Sequence, residues 1–558
     1  MCESRIFSTA DGTFFLKCLF VAVYFLAVSS LTNSKKTQSY TPQWVTCPKN
    51  LGVLLSSSHP WPVSSAERHY LNRINITGFN TTHFLSGAVS NGEKAGYTLP
   101  NFAFTIAGGG NRALLYGASI LDAFDSRNPQ AEAARTGGIL QLANYAAGLS
   151  ASSWLLAGWA TNDYERVSSL VHTVWSSAFE REYMDWGQFK KLPHCFREVR
   201  RKKKAGFPVS IVENNNSERN KNPVFSSLRN SQSYLESTFP FPILISTSRK
   251  GEGEDLDLDG PIYEFTPEDF NVWHNDLNAS IPMEYLGSRF SSASGAAVKC
   301  ARGFDNTGFI MVSKLIDGRN PKRYFWSDLA DFFVKGKMYE ALVPNPFEGL
   351  GRGLTPGSGF ADSEKEELLL TDGAMVQENL PIIPLLKPSR KLDVIIAVDG
   401  SVNGRSAGDV EALGYPNGSA LYQAYRRTQK PGYQGLSFPR ISNTSEPESF
   451  IVPGYNKRAT FFGCGEQVPL VVYLPNYFVS HTTNQTTTQA IYSREEIDGF
   501  LENGFYIATQ TNQNQRTNKD WPVCLACALV DHQNIRNNVT RTEECTKCFQ
   551  KYCAGGFL

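Results

Sequence analysis

The chain has 558 residues, 41% of them hydrophobic and 19% charged, with a formal net charge of +1. That length exceeds what one small core needs, and the composition is that of an ordinary globular protein. A charge so near zero provides no field to gather nucleic acid or an anionic surface, so no nucleic-acid partner is expected.

At the N-terminus, Lys17 precedes an apolar run from Cys18 to Val28 and the small residues Ser29 and Ser30. This is the layout of a signal peptide over residues 1–30, and the run is short for a membrane span of about 20 residues. Sequons at Asn75, Asn80, Asn215, Asn278, Asn417, Asn443, Asn484 and Asn538 agree with a secretory route and mark expected surface positions for glycans. Residues 32–65, rich in Ser, Thr and Pro, read as an extended lead-in pinned by Cys47.

Asn101–Ala107 reads as a strand that runs into Gly108-Gly109-Gly110, followed by a helix over Arg112–Phe124. Leu140–Ala147 reads as a second strand, turning at Gly148-Leu149-Ser150 into an apolar helix over Ala151–Ala160. Arg200–Lys204 is a basic run, taken as a solvated loop. Asp255, Asp257, Asp259 and Gly260 imitate a calcium loop, but Thr266 stands where a bidentate Glu is required and Pro261 interrupts, so no metal is expected there. Leu368–Thr371 is a strand ending in a turn at Asp372-Gly373, and Leu392–Val398 is apolar on both faces, as a buried parallel strand is. Strand, turn and helix in repetition predict a three-layer α/β core with a central, largely parallel sheet and long insertions.

Three turns carry chemistry. Ser150 on a tight strand-to-helix turn would expose its hydroxyl at a helix N-terminus, where negative charge is stabilised; a simple N-cap is the bland alternative. Gly108–Gly110 presents backbone N–H groups at a helix start, an anion site. Gly108-x-Gly110-x-x-Ala113 also matches a dinucleotide fingerprint, but that fold needs a second strand ending in an acid, and Arg127–Arg135 is polar and unlike a strand. The other reading is an oxyanion hole from Gly109 and Gly110, with Arg112 holding a phosphate or carboxylate. Asp372 at a strand end could take a proton from Ser150. Of eight histidines only His481 and His532 follow Asp372, one in a polar loop and one in a cysteine-rich tail, so a Ser–Asp pair fits better than a triad.

Nine cysteines lie beyond the signal segment: Cys47, Cys195, Cys300, Cys464, Cys524, Cys527, Cys545, Cys548 and Cys553. The two CxxC pairs of the tail have zinc-ribbon spacing, but behind a signal peptide disulfides are favoured, with their pairing open and one thiol left over. No glycolipid-anchor tail is evident.

Ala107–Ala113, Ala147–Ser150 and Thr371–Gly373 together resemble the fungal lysophospholipase/phospholipase B family, related in its core to cytosolic phospholipases and patatins. Pro282–Gly287, Gly303–Phe309, Ala459–Cys464 and Cys524–Asp531 extend the resemblance over roughly Cys47 to Cys553. It implies a patatin-like α/β fold, in one catalytic domain over 45–555 with insertions across about 165–365 and a cysteine-rich tail over 524–553. It implies a Ser–Asp dyad of Ser150 and Asp372, an oxyanion hole at Gly109 and Gly110, and Arg112 on the substrate phosphate. The implied reaction is hydrolysis of fatty-acyl esters of lysophospholipids or phospholipids, at a membrane or micelle surface, through an acyl-serine, with no cofactor, metal or obligate protein partner. Three residues depart from the family pattern near the site: Asn111 for an aromatic, Ala151 for glycine, and Ala374 for the second glycine after the aspartate. They keep open a second reading, a secreted lipid-binding or developmental relative with weakened turnover.

Overall fold

The computed structural model describes residues 40–56, 63–72, 100–179, 192–209, 223–248, 257–312, 341–353, 359–373, 379–402, 414–487, 489–511, 514 and 518–556. The signal segment, Asn75, Asn80, Asn215 and Ala374 lie outside them. The strands are β1 (Gln43–Val45), β2 (Leu54–Leu55), β3 (Phe102–Ile106), β4 (Tyr145–Gly148), β5 (Phe241–Ser248), β6 (Ile262–Phe265), β7 (Asp269–His274), β8 (Leu277–Pro282), β9 (Arg289–Phe290), β10 (Ala297–Arg302), β11 (Ala341–Pro344), β12 (Glu367–Thr371), β13 (Val394–Asp399), β14 (Thr460–Phe462) and β15 (Leu470–Pro475). Helices of ten residues or more are α1 (Gly110–Ala123), α2 (Ala151–Thr161), α3 (Leu192–Lys204), α4 (Ser419–Thr428), α5 (Arg494–Ala508), α6 (Trp521–Arg536) and α7 (Glu543–Tyr552).

One twelve-stranded sheet runs β14-β15-β13-β3-β4-β5-β6-β7-β8-β2, with β12 and β11 branching from β5. Its centre, β15-β13-β3-β4-β5, is parallel. The remaining pairings are antiparallel. The expected parallel core is therefore present, and the long insertion adds an antiparallel wing to it. Parallel strands must be covered on both faces, and the alternation along them does this. Phe102, Phe104, Ile106, Val394, Ile396 and Val398 join one core with α1, α2, α5, α6 and α7. Ala103, Tyr145, Ala147, Ile395 and Ala397 join another with α4 and residues 380–386. The result is three layers.

On this second face a buried arginine ties three segments together. Arg390 donates through Nε and Nη2 to Glu67 (2.9 and 3.2 Å), through Nη1 and Nη2 to Glu264 (2.9 and 2.7 Å), and through Nη1 to the Pro384 carbonyl (2.7 Å).

Several elements differ from the sequence expectation. The second strand is only Tyr145–Gly148; Ile139–Leu142 is a helical turn after left-handed Gly138, and the Asn144 side chain accepts from Phe102 N–H (3.0 Å). The basic run ends α3 instead of forming a loop, and Lys202 is buried with its ammonium over the rings of Phe304 and Phe309 (4.3 and 4.5 Å). Apolar stems and aromatic faces shelter a charge that the composition alone places in solvent. Residues 129–133 form a short helix capped by Asn128, so the acidic second strand of a dinucleotide fold is missing.

Four disulfides are formed: Cys47–Cys300, Cys464–Cys553, Cys524–Cys548 and Cys527–Cys545. Spacing of three residues puts each CxxC on one helix face, so α6 and α7 are joined by two rungs. Cys553 leaves that pair of helices and clamps the tail to the end of β14. Among the described residues no group of His, Cys, Asp and Glu could hold a metal, and no helix is long and apolar enough to cross a membrane.

Candidate active site

The strand order reverses at β3: the chain proceeds to β4 on one side and returns as β13 on the other. The crevice beyond the carboxyl ends of strands at such a reversal is where open α/β sheets bind ligands. Gly108–Gly110 follows β3, Ser150 follows β4, and Gly400 follows β13, all at that edge.

Ser150 occupies the position before α2 with φ 55° and ψ −132°, and its side chain makes no capping bond. This backbone conformation costs a non-glycine residue about 1–3 kcal/mol and persists only where its surroundings impose it. The brace is Ser152. Its Oγ accepts from Leu149 N–H (3.0 Å) and lies 2.7 Å from both the Ile106 and Leu149 carbonyls, one of which takes its proton. Ser153 Oγ donates to the Gly148 carbonyl (3.0 Å). Ala151 is already helical and buried, so its methyl meets no forbidden dihedral. The strain falls on Ser150 alone.

The glycine turn is packed against this elbow. A Cβ on Gly108 would lie 2.8 Å from Ser150 Cβ and 2.6 Å from Leu149 Cδ1, so only glycine permits the approach. Gly109 (φ 142°) and Gly110 (φ 73°) adopt backbone conformations that other residues rarely take. Neither N–H has a backbone acceptor among the described residues. Gly108 N–H donates to the Asn379 carbonyl (2.9 Å), which ties the turn to the chain following Asp372.

Strand register brings the turn at Asp372 toward the same edge of β5. Leu244 of β5 pairs with Gly148 on one edge and Phe265 on the other; Thr247 pairs with Thr371 and with Ile262. β4 and β12 therefore share one edge of β5 and run toward each other. Gly148 and Thr371 stand opposite Leu244 and Thr247, so only Ile245 and Ser246 of β5 separate the ends of the strands that Ser150 and Asp372 follow. Asp372 is buried.

Arg112 is wholly buried in the first turn of α1. Nη2 donates to the Thr483 carbonyl at 3.3 Å, a long bond, while Nε and Nη1 have no hydrogen-bond partner among the described residues. Burial lowers its basicity to about 10, against the opposing pull of Tyr492, Asp399 and Tyr415. Asp399 is held by Tyr473 Oη (2.7 Å) and Ser401 N–H (2.9 Å), and burial raises its pKa.

The sequence reading missed a strap across this turn. The Thr483 carbonyl meets Arg112, the Ala490 carbonyl accepts from Asn111 Nδ2 (3.0 Å), and the Thr487 carbonyl abuts Gly110, where any Cβ would collide with it. Asn111 thus faces the strap. Of the two histidines set aside, His481 pairs with Glu502 (3.0 Å) and His532 lies in α6, where burial lowers its pKa. Among the described sequons Asn538 is exposed and Asn417, Asn443 and Asn484 are half-buried. Asn278 is half-buried as well, with its Nδ2 turned inward at the β7–β8 pairing.

An α/β sheet with a strained serine beside a glycine turn defines an ester-hydrolase type of scaffold. The chain matches the lysophospholipase catalytic domain over residues 102–317 and 321–558. It is 32% identical to lysophospholipase 2 of Aspergillus fumigatus, covering 93% of each chain. It is 31% identical to probable lysophospholipase 5 of Schizosaccharomyces pombe, covering 95% of this chain and 89% of that one. Among solved structures, human GIVD cytosolic phospholipase A2 superposes with a TM-score of 0.62 over 87% of this chain and 69% of that one, at 16% identity, which places the fold. The chain belongs to the lysophospholipase catalytic-domain family.

Proposed function

We propose that the chain is a secreted lysophospholipase of the phospholipase B type that cleaves fatty-acyl esters of lysophospholipids and phospholipids. The observation that carries the reading is the strained, uncapped backbone of Ser150 (φ 55°) against Gly108. Strain of this kind collects at functional sites.

In the proposed reaction Ser150 Oγ attacks the ester carbonyl as its proton passes to Asp372. The N–H groups of Gly109 and Gly110 receive the developing oxyanion. The bond to the glycerol oxygen breaks, and that oxygen takes the proton from Asp372. Water then attacks the acyl-serine, releasing the fatty acid and restoring Ser150. Arg112 holds the substrate phosphate. The four disulfides support an oxidising compartment, and hence export. Exposed Asn538 and half-buried Asn417, Asn443 and Asn484 are proposed to carry glycans. Ala151 fits its helical site and Asn111 binds the strap, so neither departure counts toward the lipid-binding alternative.

Purified protein incubated with lysophosphatidylcholine tests the reading. Fatty-acid release is expected, and Ser150→Ala or Asp372→Asn should each cut it by at least about 10⁴-fold. Turnover by Ser150→Ala at the wild-type rate would refute it.

A further inference from the structure

Arg112 is not alone in lacking partners. Tyr492, two residues after Ala490 of the strap, is also fully buried, and its Oη has no hydrogen-bond partner among the described residues. The two are brought together by the strap: Ala490, two residues before Tyr492, accepts at 3.0 Å from Asn111, the neighbour of Arg112, and each group acts electrostatically on the other. The ring is firmly placed: Tyr492 N–H donates to the Phe179 carbonyl (2.8 Å), and the ring stands edge-on to Phe500 with centroids 5.8 Å apart.

A buried polar group without a partner costs about 1–3 kcal/mol. A phenylalanine at 492 would keep the packing and avoid that cost. The carboxylates that act on the two groups offer no remedy: Asp399 is engaged by Tyr473 and Ser401, and Glu496 accepts from Ser493 N–H and Gln489 Nε2. What remains is a set of donors: Nε–H and Nη1–H of Arg112 and O–H of Tyr492. The group that satisfies such a set is an anion with several acceptor oxygens on one centre. The Thr483 carbonyl, on its long bond to Nη2, holds one of the positions such an oxygen would take.

We propose that Tyr492 is a specificity-determining residue that donates, with Arg112, to the phosphate of the lipid head group after the Thr483 carbonyl gives way. The inference rests on the reading of Ser150 and Arg112 given above and adds a second phosphate ligand from the strap. It makes the site selective for phosphate-bearing lysolipids over neutral monoacylglycerols carrying the same acyl ester.

The test compares wild type and Tyr492→Phe on lysophosphatidylcholine and on a monoacylglycerol of equal chain length. Tyr492→Phe should raise KM for the phospholipid about tenfold, with kcat nearly unchanged and the monoacylglycerol constants within about twofold. Equal losses on both substrates, or no change on either, would overturn the proposal. A second measurement needs no turnover. Inorganic phosphate should raise the unfolding midpoint of wild type and do so about tenfold less potently in Tyr492→Phe. Equal potency in both would overturn the proposal while leaving Ser150 as nucleophile. Absence of ester hydrolysis by wild type would instead strike the reaction itself.

Discussion

Of the arginines buried among the described residues, Arg390 and Arg112 have opposite surroundings. Arg390, behind the sheet, uses all five of its N–H groups on two glutamates and a carbonyl. Arg112, at the carboxyl edge of the sheet, has one long bond and two nitrogens without hydrogen-bond partners among the described residues. Burial weakens the basicity of Arg112, whereas Glu264 and Glu67 hold the Arg390 guanidinium firmly charged despite its burial. The saturated ion specifies packing; on the reading proposed above, Arg112 keeps its donors for the substrate phosphate. The same division separates Ser152, whose hydroxyl is fully used to brace the elbow, from Ser150, whose hydroxyl caps nothing.

Replacing each arginine with methionine should separate the two regions most sharply. Arg390→Met leaves Glu67 and Glu264 buried without their partner and should cost about 3–5 kcal/mol in urea unfolding. Arg112→Met removes an unsatisfied charge and should leave stability unchanged or raise it by up to about 1–3 kcal/mol, while activity on lysophosphatidylcholine falls. Equal destabilisation by both would erase the distinction. Smaller effects follow from Lys387, which lies beside the Arg390 cluster with its ammonium 3.2 Å from the Trp273 ring centroid. Burial, reinforced by Arg390, lowers its pKa from 10.5 to about 7. Between those values the unfolded chain holds the proton that the folded chain has lost, so this group makes stability rise with pH across that window. Urea midpoints should climb from about pH 7 to about pH 10 more steeply in wild type than in Lys387→Met. Parallel profiles would show that Lys387 titrates normally.

Much of the site was legible because its signals are local. A glycine triplet after an apolar strand, a serine at a strand-to-helix turn and an aspartate at a strand end each span a few residues. β13 declared itself by being apolar on both faces, and the CxxC spacing put each cysteine pair on one helix face. What was not legible depends on distant pairing. Asn111 meets Ala490 across 379 residues, and no local pattern marks that contact. Tyr492 reads as an ordinary aromatic until its hydroxyl is seen to be buried. The basic run at 200–204 read as solvated because the rings that shelter Lys202, Phe304 and Phe309, lie a hundred residues away in sequence. The β12 branch of the antiparallel wing was hidden for a similar reason, since β12 pairs with β5, more than a hundred residues earlier.

The central claim is that Ser150 is held in a strained turn because it is the nucleophile. Labelling of the folded protein with a fluorophosphonate probe, followed by peptide mass mapping, addresses it directly. The expected result is one adduct, on the peptide containing Ser150, lost in Ser150→Ala and slowed in Asp372→Asn. An unlabelled but folded wild-type protein, or an adduct that persists in Ser150→Ala, would contradict it.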